Sequence, residues 1–262
     1  MLAGCANHPN VNNADANDPL ESSNRAVFKA NDAVDRAVIK PVAKGYQSTL
    51  PQWVRDRLRH FFDNLTEARV FTHAFLQVRV NAAGTTFTRF LVNSTAGLFG
   101  FFDVATDLNL PRQTGDLGQT LARWGVGEGP YLVLPIFGPS NLRDAVGLTG
   151  DLFTDFYVDP AGYLVTGTAA TGWNVGQAVT SGVDLRARNI DTVDALQASS
   201  LDNYAQMRSI TRQHRMAEVR EAKGLPSEPE ELTDPGAAPQ NTGAASTNRL
   251  EAASRCAVAS CQ

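Results

Sequence analysis

Histidine is scarce in this chain and poorly placed for metal work. His8, His60, His73 and His214 form no H-E-x-x-H motif and no i, i+4 pair that would hold an ion on one helical face. Cysteine is scarcer: Cys5 stands alone near the start, and Cys256 and Cys261 sit at a C-x4-C spacing near the end, far from any histidine. In an oxidising compartment that spacing allows a small disulfide, and no metal or redox role is expected of it. No uninterrupted apolar segment reaches the roughly 20 residues a spanning helix needs, so any membrane attachment is by an anchor or by partial insertion. No basic run stands out and the net charge is −4, which argues against nucleic acid as a partner. Also missing are a G-x-G-x-x-G fingerprint, a P-loop Gly-Lys-Ser/Thr ending and a G-x-S-x-G nucleophile elbow. No catalytic residue is assigned, and Asp103 and Asp107 are read as a helix cap and an exposed turn rather than a carboxylate pair.

What remains is a chain able to fold. Over 262 residues, 43% are hydrophobic and 19% charged, enough to bury a substantial core in one or two domains. Both ends have a disordered composition. Residues 6–19, "ANHPNVNNADANDP", hold five asparagines and two prolines with no aromatic, and read as a flexible tether. Residues 225–262 hold four prolines and no aromatic side chain, and read as a disordered tail. The folded body is therefore expected over residues 20–224. Ahead of the tether, "MLAGC" at residues 1–5 has the pattern of a lipobox, in which Cys5 would be acylated. A secretory signal carries a basic n-region and a longer apolar core, so the four residues before Cys5 read as the remnant of a truncated signal peptide. A chance match to a short pattern is the competing reading, and the rest of the chain decides between them.

Apolar spacing within the body is helical. Val27, Ala30, Val34 and Val38 predict an amphipathic helix from Pro19 to Lys40, ended by Pro41. Trp53, Val54, Leu58, Phe61, Phe62 and Leu65 predict a second after Pro51, continued by Phe71, Phe75 and Val78. Val175, Val179, Val183, Ala187, Ile190 and Val193 form one further stripe, and a polar helix runs through Tyr204 and Thr211 to Arg220. Few stretches alternate with period two. The expected fold class is all-α, with irregular Gly- and Pro-rich loops.

Two stretches are unusual for such a body. "FLVNSTAGLFGFF" at 90–102 carries no charge, and its length fits a buried core helix or a re-entrant or interfacial segment. "WGVGEGPYLVLPIFGPS" at 124–140 places Gly125, Gly127, Gly129 and Pro130 before a short apolar run, where glycine permits tight turns and close backbone approach.

These stretches belong to a longer match. "DPLESSNRAVFKANDAVDRAVIKPVAKGY" at 18–46 resembles the opening block of the MlaA (VacJ) outer-membrane lipoproteins. "FFDNLTEARVFTHAFLQ" at 61–77, "TRFLVNSTAGLFGFFDVATDLNL" at 88–110 and "GQTLARWGVGEGPYLVLPIFGPSNLRDAVG" at 118–147, followed by Asp151, are similar to later blocks in the same order. The most specific elements are R-F-x-x-N-x-x-x-G and G-V-G-x-G-P-Y-x-x-L-P. Departures at Glu67-Ala68, at Leu76-Gln77-Val78 and at Leu117-Gly118 to Leu121-Ala122 remove a proline and two glycines, and bear on local turns.

The resemblance implies a ring-like helical body with amphipathic, membrane-embedded helices in the outer membrane of a Gram-negative bacterium, lipid-anchored in the periplasmic leaflet through Cys5. It implies an amphipathic channel that removes mislocalised phospholipid from the outer leaflet and keeps the membrane asymmetric. Its implied partners are phospholipid, a trimeric outer-membrane porin and a soluble periplasmic lipid carrier; no enzyme activity, cofactor or metal is implied. At matching family positions, the candidates for the channel or lipid path are Asn93, Gly97, Gly100, Phe101, Phe102, Gly125, Gly127, Gly129, Pro130 and Tyr131. Asn24, Arg25, Asn31, Asp35, Lys40, Arg143 and Asp144 are read as solvated groups or internal pairs.

Overall fold

The first helix does not stop at Pro41. In the computed structural model, which describes residues 17–158 and 168–225, α1 (Glu21–Val34) passes through one π-helical turn (Asp35–Ile39) into α2 (Lys40–Thr49), with Pro41 inside its first turn. A proline removes one N–H and crowds the carbonyl four residues back; a wider turn just ahead of it relieves both. The helix then continues to the extended Leu50.

Pro51 opens α3 (Gln52–Leu76), the longest helix among the described residues, which packs antiparallel to α4 (Val80–Thr95) across a turn with Val78 at φ 58°. Short α5 (Val104–Asp107) and α6 (Leu117–Arg123) follow, capped by the Asp103 and Asp116 carboxylates, which accept from the Thr106 and Gln119 backbone N–H groups. The Asp103 cap matches the expectation. After α6 come the strands β1 (Tyr131–Leu134) and β2 (Gly138–Asn141), paired antiparallel from Tyr131 with Asn141 to Leu134 with Gly138. This small hairpin is the one β element among the described residues of an otherwise helical fold. The chain continues through α7 (Leu142–Val158), α8 (Thr168–Arg188), α9 (Ile190–Ser199) and α10 (Asn203–Ala222).

The hairpin is held by α1. Asn24 donates to the Tyr131 carbonyl at 3.0 Å and accepts from the Val133 N–H at 2.9 Å; two helical turns on, Asn31 does the same to Leu134 and Ile136. These two amides complete the outer edge of β1, so they are internal ties and not solvated groups. Arg25 pairs with Asp202, Asp35 with Arg186 and Lys40 with Asp194, joining the first helices to the last three.

Asn17 and Asp18, which composition assigns to the tether, are packed into this fold. Asp18 is 1% exposed and accepts from Asn24, Tyr204 and Arg208, while the Asn17 carbonyl accepts from the Tyr131 N–H. The remainder of the tether, the lipobox with Cys5, and the tail after Leu225 with Cys256 and Cys261 lie outside the described residues.

Candidate functional site

Side-chain polarity is inverted relative to a water-soluble helical protein. The largest fully buried side chains are Arg89, His73, Gln77, Gln119, Thr86, Thr120 and Asp18, and the buried apolar set is mostly alanine. Large apolar side chains point outward instead: Phe75, Val78 and Val80 around the α3–α4 turn, Leu98 and Phe99 after α4, Ile136 and Phe137 at the hairpin tip, Leu152 and Phe153 on α7, and Val175 and Val179 on α8. Exposed large apolar side chains in this number mark a membrane or partner surface. The expected stripe from Val175 to Val193 is therefore split. Val175 and Val179 face outward, Ala187 and Ile190 pack on Ala43, and Asn189 interrupts the helix between them.

The apolar stretch 90–102 is the end of α4 followed by a chain reversal. Gly97 and Gly100 permit it. A Cβ on Gly97 would lie 2.2 Å from the Phe102 carbonyl oxygen, and one on Gly100, at φ 92°, would lie 2.5 Å from the Asn64 Cβ. Asn93 is buried with both side-chain polar atoms bonded, donating to Asp103 and accepting from the Ala105 N–H. Asp103 also takes two bonds from Arg89, whose guanidinium reaches Glu67 at 2.9 Å and the Leu110 carbonyl at 2.5 Å. Leu98, Phe99, Phe101 and Phe102 stay exposed on the outside of the reversal, with Phe101 stacked on Phe61 and Phe102 under the Arg57 guanidinium. In R-F-x-x-N-x-x-x-G, then, Arg89, Asn93 and Gly97 form a buried scaffold that projects phenylalanines outward.

The second stretch behaves differently. Gly125, at φ 95°, and Gly127 lie open, Gly129, at φ 67°, approaches Leu142, and Pro130 leads into β1. Tyr131 is 2% exposed and packs edge-on to Tyr204; burial pushes its phenol up to about 12. Tyr131 also lines a cavity of about 390 Å³ between the hairpin, the start of α7 and α10. A second cavity, of about 320 Å³, lies between α3, α7 and the hairpin and is lined by Arg69, Asp116, Leu134, Phe137, Leu148 and Asp151. Both share Pro139, Ser140, Asp144 and Arg215.

Arg215 stands at that shared wall. Its guanidinium donates twice to Asp116 (2.7 and 2.7 Å), twice to Asp144 (2.8 and 3.0 Å) and once to Glu218 (2.8 Å), which uses all five donors. Arg143 backs Asp144 at 2.9 Å. Burial raises the Asp116 and Asp144 carboxyls, but the Arg215 hydrogen bonds outweigh it and hold both below the ordinary range. Of this cluster, only Arg143 and Asp144 stand out from the sequence. Arg215 lies 99 residues from Asp116 and 71 from Asp144, so no local motif joins them.

One arrangement has the outline of a nucleophilic site. His73 Nδ1 lies 3.1 Å from the Thr120 hydroxyl and its Nε2 lies 2.9 Å from Asp151. Thr120 is fully buried, donates to the Asp116 carbonyl and accepts from Gln77. With no access to a substrate and its hydroxyl committed, it ties α3 to α6.

This geometry has known counterparts. The family model of the MlaA lipoprotein matches residues 16–218. The intermembrane phospholipid transport system lipoprotein MlaA of Escherichia coli (strain K12) is 34% identical over 212 residues, covering 79% of this chain and 80% of that protein. Its namesake in Haemophilus influenzae is 32% identical over 238 residues, covering 89% and 91%. A solved structure reported as the structural basis for maintenance of bacterial outer membrane lipid asymmetry superposes with a TM-score of 0.66 at 30% identity, over 77% of this chain and 98% of the other. With the family's landmarks spread over nearly the whole described body, this chain belongs to the MlaA lipoprotein family.

Proposed function

We infer that this chain works in phospholipid transport at the outer membrane, taking mislocalised phospholipid from the outer leaflet and releasing it to a soluble periplasmic carrier. One observation carries the reading: large apolar side chains lie exposed on the outside while the cavities are lined by charged, hydrogen-bonded groups, the two polarities a lipid conduit needs. Tails meet the outward phenylalanines and valines, and headgroups meet the polar interior. No helix among the described residues is long and apolar enough to cross a membrane, so the body sits within one leaflet as a ring-like assembly of amphipathic helices. Cys5 supplies the acylated anchor, and a trimeric porin is the partner that holds the body in place. Lipid movement down a chemical gradient requires no bond to break, so the function is not enzymatic.

The test is phospholipid exposure on the outer leaflet of cells deleted for their own family member and complemented with this chain behind a complete signal peptide. Restored asymmetry with the intact chain, and none with Cys5→Ala, is the expected result. Correct localisation with persistent surface phospholipid would replace transport by a porin-binding scaffold.

A further inference from the structure

We propose that the two cavities on either side of Arg215 form a headgroup relay that favours a zwitterionic phospholipid, carrying phosphate and ammonium together, over an anionic one. This rests on the transport reading above and names the headgroup class it handles. Both cavities carry both signs of charge. Arg212, Arg215, Glu128, Glu218 and Asp144 line the first; Arg69, Arg215, Asp116, Asp144 and Asp151 line the second. At about 390 and 320 Å³, each is of the size that holds a small polar ligand.

The shared wall decides the selectivity. Around Arg215 stand Asp116, Asp144 and Glu218, with Arg143 bonded to Asp144 at 2.9 Å; His214, on the neighbouring turn, is 3.6 Å from Glu218 and uncharged unless protonated. Arg143, Arg215, Asp116, Asp144 and Glu218 together carry one more negative charge than positive, while Glu128 is balanced by Arg212 at 3.0 Å. Because every Arg215 donor is occupied, a phosphate can bind there only by displacing a carboxylate. A zwitterion brings its own ammonium to the displaced carboxylate and leaves the charge balance unchanged. An anionic headgroup adds a second excess negative charge and meets repulsion. The fork of Arg215 faces both cavities, so one guanidinium can pass the phosphate from one to the other.

Glu218 is the handle for the test. It lies half-buried on α10, caps no helix, and can be altered without touching the Asp116 cap. The full-length chain is equilibrated with vesicles of equimolar phosphatidylethanolamine and phosphatidylglycerol, reisolated, and its bound lipids are counted by native mass spectrometry. Wild type is expected to retain the zwitterion in excess. Glu218→Gln lowers that ratio about fivefold, equivalent to ~1 kcal/mol, and Glu218→Lys lowers it further. Inorganic phosphate added in millimolar excess leaves the bound lipid in place, whereas O-phosphoethanolamine displaces part of it. Lipid retained with no preference, or a ratio indifferent to the charge at 218, overturns the relay and leaves transport standing. Displacement by inorganic phosphate alone makes this a free-phosphate site and also overturns it. A wild-type chain that retains no lipid at all sinks the transport reading instead.

Discussion

Arg89 and Asp103 show what single residues contribute here. Burial pushes the Asp103 carboxyl up, but hydrogen bonds from Thr106 and Asn93 and the nearby Arg89 charge prevail and hold it down at about 2. An aspartate in an unfolded chain titrates near 3.9. A folded value below the unfolded one means that the carboxylate stabilises the fold at neutral pH and that this contribution drains away as pH falls from about 4 to about 2. Glu67, on the same guanidinium, is pushed up by burial and contributes with the opposite sign. Asp103→Asn is therefore expected to be less stable than wild type at pH 7 and to show a flatter decline between pH 4 and 2, read by circular-dichroism melts in detergent micelles. A loss parallel to wild type over that window would show that Asp103 does not supply the acid limb. At this scale the resemblance supplies positions and the contacts supply what each side chain does there: Asn93, a candidate for the lipid path, has its amide committed to Asp103 and Ala105.

Among the elements, the turn after α4 makes the sharpest demand on sequence. A Cβ at Gly97 meets backbone oxygens of Phe102 and Asn93, neither of which can swing aside, whereas Gly127 has open space around it. Gly97→Ala is expected to cost about 1–3 kcal/mol, as overpacking does. Gly127→Ala should stay within about 0.5 kcal/mol, as surface changes do. Equal melting shifts for the two would refute the packing account. The helices were legible because 3.6-residue apolar spacing survives whatever surrounds it. The hairpin was not: Tyr131, Leu132, Val133 and Leu134 are all large and apolar, so their alternating burial leaves no polar and apolar alternation to read. Pro41 misled for the complementary reason, since the widened turn that accommodates it depends on backbone geometry and not on side-chain type.

Over the whole molecule, the sequence announces that apolar faces exist but not which medium they meet. Val175 and Val179 have the spacing of a core stripe and lie outside; Arg89 and His73 have the character of surface residues and lie inside. Periodicity is blind to that exchange, because a helix facing lipid and a helix facing a protein core have the same moment. The Arg215 cluster is invisible for a different reason, being assembled from α6, α7 and α10 over a hundred positions of chain. The inversion also sets the thermal character of the protein. In water-soluble domains, unfolding exposes buried hydrocarbon and raises the heat capacity by roughly 12–15 cal/mol/K per residue. In the membrane setting proposed above, the outward hydrocarbon remains covered by acyl chains or detergent in both states, and the interior released to water is rich in polar groups, which lower heat capacity. Calorimetry in micelles is expected to give a step well below that range. The stability curve is then shallow, and in that setting a membrane that cools takes little stability away from the protein it holds.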